Sequence, residues 1–144
     1  MAICVGEVMT DVVRYAKPSQ SLVEAARAMR EEDVGALPVV EAGRLVGVLT
    51  DRDIVTRAVA EGIDPATITV AEVASPELIT VSLDQDLHEA LRLMSRHQVR
   101  RLPVVSGQRL VGIVSQADIV TLVDTESAAT TVAEISEPSI GDRS

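Results

Sequence analysis

The chain has 144 residues, a formal net charge of −9 and 47% hydrophobic residues, enough apolar material for one domain or two small halves sharing a core. The acidic balance argues against a duplex nucleic-acid partner, and with Tyr15 the only aromatic there is no stacking platform for single strands. A lone cysteine, Cys4, rules out an internal disulfide and, with only His88 and His97 as further soft ligands, argues against a Cys/His zinc site.

Apolar runs stay short, as in Leu45-Val46-Gly47-Val48-Leu49, well below the roughly 18–20 residues that span a bilayer. The start carries no basic stretch followed by an apolar one, as a secretory leader would. The expectation is a cytoplasmic protein with no membrane or nucleic-acid partner.

In chain order, a leading strand is expected near Val12 to Tyr15. A helix follows, with Leu22, Ala25, Ala26 and Met29 at i, i+3, i+4 and i+7 on one face. Leu37 to Val40 reads as a short strand with Pro38 at its start, where a missing N–H is tolerated. A tight connection at Ala42-Gly43 leads to a second strand, Leu45 to Leu49, and then to a helix carrying Ile54, Val55, Ala58 and Val59. Gly62 and Asp64-Pro65 close the unit as helix stop and turn.

The same order then returns 65 residues later. Leu37-Pro38-Val39-Val40 recurs as Leu102-Pro103-Val104-Val105, Arg44-Leu45-Val46-Gly47 as Arg109-Leu110-Val111-Gly112, and Asp53-Ile54-Val55-Thr56 as Asp118-Ile119-Val120-Thr121. Between Glu7 and Thr56, about 21 of 50 positions match their counterparts without a gap. The second copy's leading strand is expected at Ile79 to Val81, and its first helix carries Leu87, Ala90, Leu91 and Met94 and ends at Arg96, before His97. The fold class is α/β (α+β): two β-α-β-β-α repeats, residues 7–62 and 72–123, related by a pseudo-twofold axis. The tail, residues 124–144, is expected to form a short helix around Val132 and Ile135 that ends before Pro138, and then to fray.

The strand-to-helix turn after each hairpin carries the chemistry. It reads Gly47-Val48-Leu49-Thr50-Asp51-Arg52-Asp53 in one copy and Gly112-Ile113-Val114-Ser115-Gln116-Ala117-Asp118 in the other. Thr50 with Asp53, and Ser115 with Asp118, have capping-box spacing, so a helix start alone accounts for them. Three features favour a ligand as well. A helix N-terminus offers free N–H groups and positive potential to an anion. Gly47 and Gly112 leave room for a ligand to approach the backbone. The turn also recurs in both copies. A phosphate on the hydroxyl and N–H groups, with a ribose diol on the Asp carboxylate, would use all of these groups.

From about Glu7 to Val123 the sequence resembles the CBS (cystathionine β-synthase) domain family, whose signature Gly-h-x-[Ser/Thr]-x-x-[Asp/Asn] follows a Leu-Pro-Val-Val-like strand; both copies match it in full. His97-Gln98-Val99-Arg100-Arg101-Leu102-Pro103 and Leu49-Thr50-Asp51-Arg52-Asp53 narrow the likeness to stand-alone bacterial two-CBS proteins of the actinobacterial hypoxic response type. The resemblance implies a tandem pair, or Bateman module, with two clefts between its halves. It implies ribose on Asp53 and Asp118, and phosphate at Thr50 and Ser115. Adenine is expected against Val13 to Lys17 and Ala25 in one cleft, and Leu78 to Val81 and Ala90 in the other.

The copies differ where phosphate would lie. Asp51-Arg52 stands where the second has Gln116-Ala117, and Gly35-Ala36 where the second has Arg100-Arg101. Arg52, Arg100 and Lys17 are candidate phosphate anchors, with solvated surface charges the competing reading. The two clefts are expected to differ in affinity. No nucleophile-base pair, metal cluster or P-loop is visible, so the chain reads as a non-catalytic regulatory or sensory module in signal transduction, without a cofactor. Its expected ligand is AMP, ADP, ATP or a related adenosyl compound, with an unidentified effector protein receiving the signal. The competing reading is a scaffold whose clefts bind nothing. A homodimer is expected, through exposed helix faces around Ile54, Val55, Ile119 and Val120.

Overall fold

The computed structural model describes residues 3–11 and 13–126. Val12, where the first leading strand was expected to begin, and the expected tail helix lie outside the described residues.

Two compact units form. The first contains Arg14–Leu78 and Gln108–Leu110, and the second contains, of the described residues, 3–11, 13, Ile79–Gly107 and 111–126. Each unit therefore completes itself with the segment that precedes the other repeat. In the first, Ile68 and Gln20 carbonyls accept from Leu22 N–H (3.0 Å) and Val70 N–H (2.8 Å), docking helix α3 (Val70–Val73). In the second, Ile3 and Gln85 carbonyls accept from Leu87 N–H (3.2 Å) and Val5 N–H (2.8 Å), docking a 3₁₀ turn at Val5–Glu7. Each bond recurs 65 residues along the chain.

Helix α1 (Leu22–Glu32) starts with a reciprocal cap: Ser21 Oγ accepts from Glu24 N–H (3.2 Å) and Glu24 Oε1 from Ser21 N–H (3.0 Å). Helix α4 (Leu87–His97) starts with Asp86, whose carboxylate accepts from His88 N–H at 2.7 Å. Both helices end in a left-handed residue, Asp33 and Gln98 (φ 56° each), after which Val34 and Val99 N–H return to Met29 and Met94 carbonyls at 3.0 Å. His97 is thus the last residue of α4 rather than the first beyond it. Leu22, Ala25 and Met29 face one core, and Leu87, Ala90, Leu91 and Met94 the other. Ala26 is exposed, and Ala28 takes the inward place expected of it.

In the first unit β1 (Ala36–Glu41) and β2 (Arg44–Thr50) form an antiparallel hairpin. In the second, β3 (Val81–Ser82) runs parallel to β4 (Arg101–Ser106), and β4 neighbours β5 (Arg109–Ser115). The leading strands are shorter than expected: Ala16 makes a single parallel bridge to Val39, and β3 has two residues. Proline is the physical cause. Ala16 N–H donates to Pro38 O and Val40 N–H to Ala16 O, both at 2.9 Å, so the next rung would run from residue 38 to Arg14 O. Pro38 has no N–H to give, and Pro103 stands at the matching place. Pro38 is the third residue of β1, not its start; it ends the partner's ladder instead.

Helix α2 (Asp51–Ile54) passes into a π-helical turn at Val55–Val59, whereas α5 (Gln116–Glu126) stays α-helical. Ile54 and Ile119 are core residues, 9% and 0% exposed, which corrects the expectation that they lie on an open face. Val55 and Val59 do lie open, at 55% and 57% exposure. No helix among the described residues is long and apolar enough to cross a membrane.

Candidate functional site: the capping turns

In the first unit the start of β1 and the end of β2 meet at one end of the hairpin. Ala36, opening β1, lies opposite Thr50, closing β2, and Asp51 N–H donates to Gly35 O at 2.8 Å. Asp53 N–H donates to Thr50 Oγ1 (3.0 Å) and Thr50 N–H to Asp53 Oδ2 (3.1 Å), a complete capping box on half-buried side chains. In the second unit Gln116 N–H donates to Arg100 O (2.7 Å), and Asp118 N–H to Ser115 Oγ (3.2 Å). The backbone bond and the hydroxyl half of the cap recur, with Arg100 at the place of Gly35.

The cap does not exhaust these groups. A hydroxyl that accepts one N–H keeps its own proton to donate, and an ionised carboxylate that accepts one bond keeps its other oxygen. Thr50 and Ser115 retain a donor for a phosphate oxygen. Asp53 and Asp118 retain acceptors for sugar hydroxyls.

The structure groups Thr50, Arg52 and Asp53 at one turn and Arg100, Ser115 and Asp118 at the other. Arg52 is exposed on the first turn of α2, and Arg100 is half-buried. Lys17 does not join them. It follows Ala16, level with Val40, and so stands at the opposite end of β1 from Ala36 and Thr50. Four residues along a strand amount to about 13 Å. Arg14, nearer the turn, is engaged with Glu31 (2.9 Å) and Glu32 (3.5 Å) at the C-terminus of α1.

The signature glycines serve the backbone and not a ligand, which corrects the reading of open space there. A Cβ on Gly47 would lie 2.8 Å from Ser75 O, and one on Gly112 would lie 2.8 Å from Thr10 O. Ser75 and Val48 exchange two hydrogen bonds (2.9 and 3.0 Å), as do Thr10 and Ile113 (2.8 and 2.9 Å). Glycine lets the incoming segment cross three residues before the last strand residue, Thr50 or Ser115, and steadies the strand that carries it. A mid-strand glycine signals a close approach in the sequence, but not what approaches.

Residues 5–60 and 70–125 each match the CBS domain family. The chain belongs to the CBS domain family. The CBS domain-containing protein YhcV of Bacillus subtilis is 44% identical over 137 residues, covering 94% of this chain and 97% of its own length. Hypoxic response protein 1 of Mycobacterium tuberculosis is 46% identical over 114 residues, covering 78% and 80%. A crystal structure of Hypoxic Response Protein I with two coordinated zinc ions matches with a TM-score of 0.76 at 43% identity, covering 84% of this chain and 99% of that one. The CBS domain pair of protein MJ0100, in complex with 5′-methylthioadenosine and S-adenosyl-L-methionine, matches with a TM-score of 0.72 at 28% identity, covering 88% and 100%. This chain is thus a tandem CBS pair of mixed α and β structure. Among its described residues no group of three or more His, Cys, Asp or Glu stands together as a metal site.

Two carboxylates within the second CBS repeat are held below the usual range. The backbone N–H of His88, and then its side chain, hold Asp86 below the usual carboxylate range. The backbone N–H of Thr69, and then its hydroxyl, do the same for Glu72.

Proposed function

We propose that this CBS pair is a non-catalytic, cytoplasmic regulatory module that binds adenine nucleotides at its two capping turns. The observation that carries the reading is the duplicated turn itself, which keeps a hydroxyl donor and a carboxylate acceptor free after capping a helix. Ribose hydroxyls donate to Asp53 and Asp118, and the phosphate accepts from Thr50 and Ser115. Adenine lies along the leading strand, where proline ends the ladder and frees backbone polar groups for its edge. The adenosyl ligands bound by the related MJ0100 pair support the same class of ligand.

The turns differ in charge. Asp51, Arg52 and Asp53 sum to −1 in the first, while Arg100, Arg101 and Asp118 sum to +1 in the second, counting formal charges. The second turn therefore holds phosphorylated ligands more tightly, with Arg100 as anchor; Lys17 has no part. A second copy of the chain covers Val55 and Val59, and ligand binding biases the arrangement read by an effector protein.

Calorimetric titration with AMP, ADP and ATP tests the site. Two binding events of unequal affinity are expected, with Asp53→Ala weakening one and Asp118→Ala the tighter one. Heat-free titrations at millimolar nucleotide would leave a packing scaffold as the better reading.

A further inference from the structure

We propose that Arg44 and Arg109 form a phosphate-binding pair, separate from the capping turns. The two arginines are repeat counterparts and lie directly opposite one another in an antiparallel pairing. The flanking bonds, Leu45 N–H to Gln108 O (2.9 Å) and Leu110 N–H to Gly43 O (3.2 Å), make theirs a non-hydrogen-bonded pair. In such a pair the side chains leave the same face at the shortest cross-strand spacing, and from there Arg44 reaches toward Gln108 and Arg109 toward Gly43. Like charges in this position destabilise a sheet.

Both arginines are exposed, and among the described residues neither makes an ion pair with a carboxylate. Arg44 donates instead to Gln108 Oε1, a neutral partner that fixes its direction. Glu41 faces Arg44 across the hairpin turn without pairing to its side chain. The Arg109 guanidinium lies over Gly43, 2.7 Å from where a Cβ would stand, so the glycine (φ 83°) leaves the room it occupies.

A phosphate group suits this arrangement. It carries close to two negative charges and three acceptor oxygens, and guanidinium forks match it in geometry. Six residues of β2 separate Arg44 from Thr50, about 20 Å of strand, so this pair is not an extension of the nucleotide site. The inference stands without the proposed adenine site.

Inorganic phosphate titrated at constant ionic strength, followed through the Arg Nε–H NMR signals, tests the pair. Arg44 and Arg109 signals should shift together and saturate. Arg109→Gln should weaken binding about tenfold, the scale of a lost hydrogen bond to a charged group. In phosphate-free buffer the same variant should melt no lower than the parent, because a repulsion has been relieved. Arg100→Gln, which removes the anchor proposed for phosphate at the second capping turn, should retain full phosphate binding at the Arg44–Arg109 pair. Its loss in that variant would instead place the phosphate at the capping turns and overturn the proposal. So would shifts that never saturate, or Arg109→Gln binding like the parent.

Discussion

The two repeats carry one backbone device in two electrostatic settings. At the first turn Gly35 and Ala36 precede a helix that begins Asp51-Arg52-Asp53; at the second Arg100 and Arg101 precede one that begins Gln116-Ala117-Asp118. The hydrogen bonds around them are duplicated: Asp51 N–H to Gly35 O matches Gln116 N–H to Arg100 O, and Val48 with Ser75 matches Ile113 with Thr10. The backbone turn is held in common while the side chains around it differ in charge, and on that difference rests the proposal of two sites of unequal affinity.

The largest expected effect breaks what the repeats share. Gly47→Ala and Gly112→Ala each drive a Cβ against a backbone carbonyl and should each destabilise by about 3 kcal/mol, the upper range for overpacking, measured by urea unfolding. Next come the ligand contacts. Asp53→Ala and Asp118→Ala should each weaken nucleotide binding at their own turn by about 2 kcal/mol, measured calorimetrically. Arg100→Gln sharpens the contrast. It should weaken ATP more than adenosine at the second turn and make the two sites more alike.

A smaller difference lies in the hairpin turns. Ala42 sits at φ 53° beside Gly43 at φ 83°, whereas in the second hairpin Gly107 takes the positive φ (65°) and Gln108 does not. Ala42→Gly should therefore stabilise by about 0.5–1 kcal/mol, and Gln108→Gly should not, by thermal unfolding. The smallest effect is acid sensitivity. Asp86 caps α4 where Ser21 caps α1, and only the carboxylate titrates. Its folded-state pKa is lowered, so its contribution is present above the unfolded-state pKa and fades as pH falls through the folded one. Asp86→Asn should flatten part of that acid limb, while Ser21→Asn should leave its slope unchanged.

Much of this was legible in the sequence. The repeat at 65 residues, the apolar face of α4, most of that of α1, where Ala28 replaces Ala26, the hairpins and the hydroxyl caps at Thr50 and Ser115 follow from local spacing and appear as read. What escaped was non-local. Nothing in the stretch around Val70–Val73 says that it completes the preceding repeat's unit, because its two apolar anchors would suit either core. Pro38 was read through its own strand, yet its missing N–H acts on the neighbour at Arg14. Gly47 announced a close approach, and only the fold shows that Ser75 makes it. Lys17 was placed by proximity in sequence to the leading strand, and the parallel register carries it to the far end.

A crystal structure grown with saturating AMP is the most direct test. The account predicts ribose hydroxyls on the Asp53 and Asp118 carboxylates, phosphate oxygens on Thr50 Oγ1 and Ser115 Oγ, and stronger density at the turn flanked by Arg100. Density for AMP at neither turn, or AMP held elsewhere with both carboxylates untouched, would contradict it.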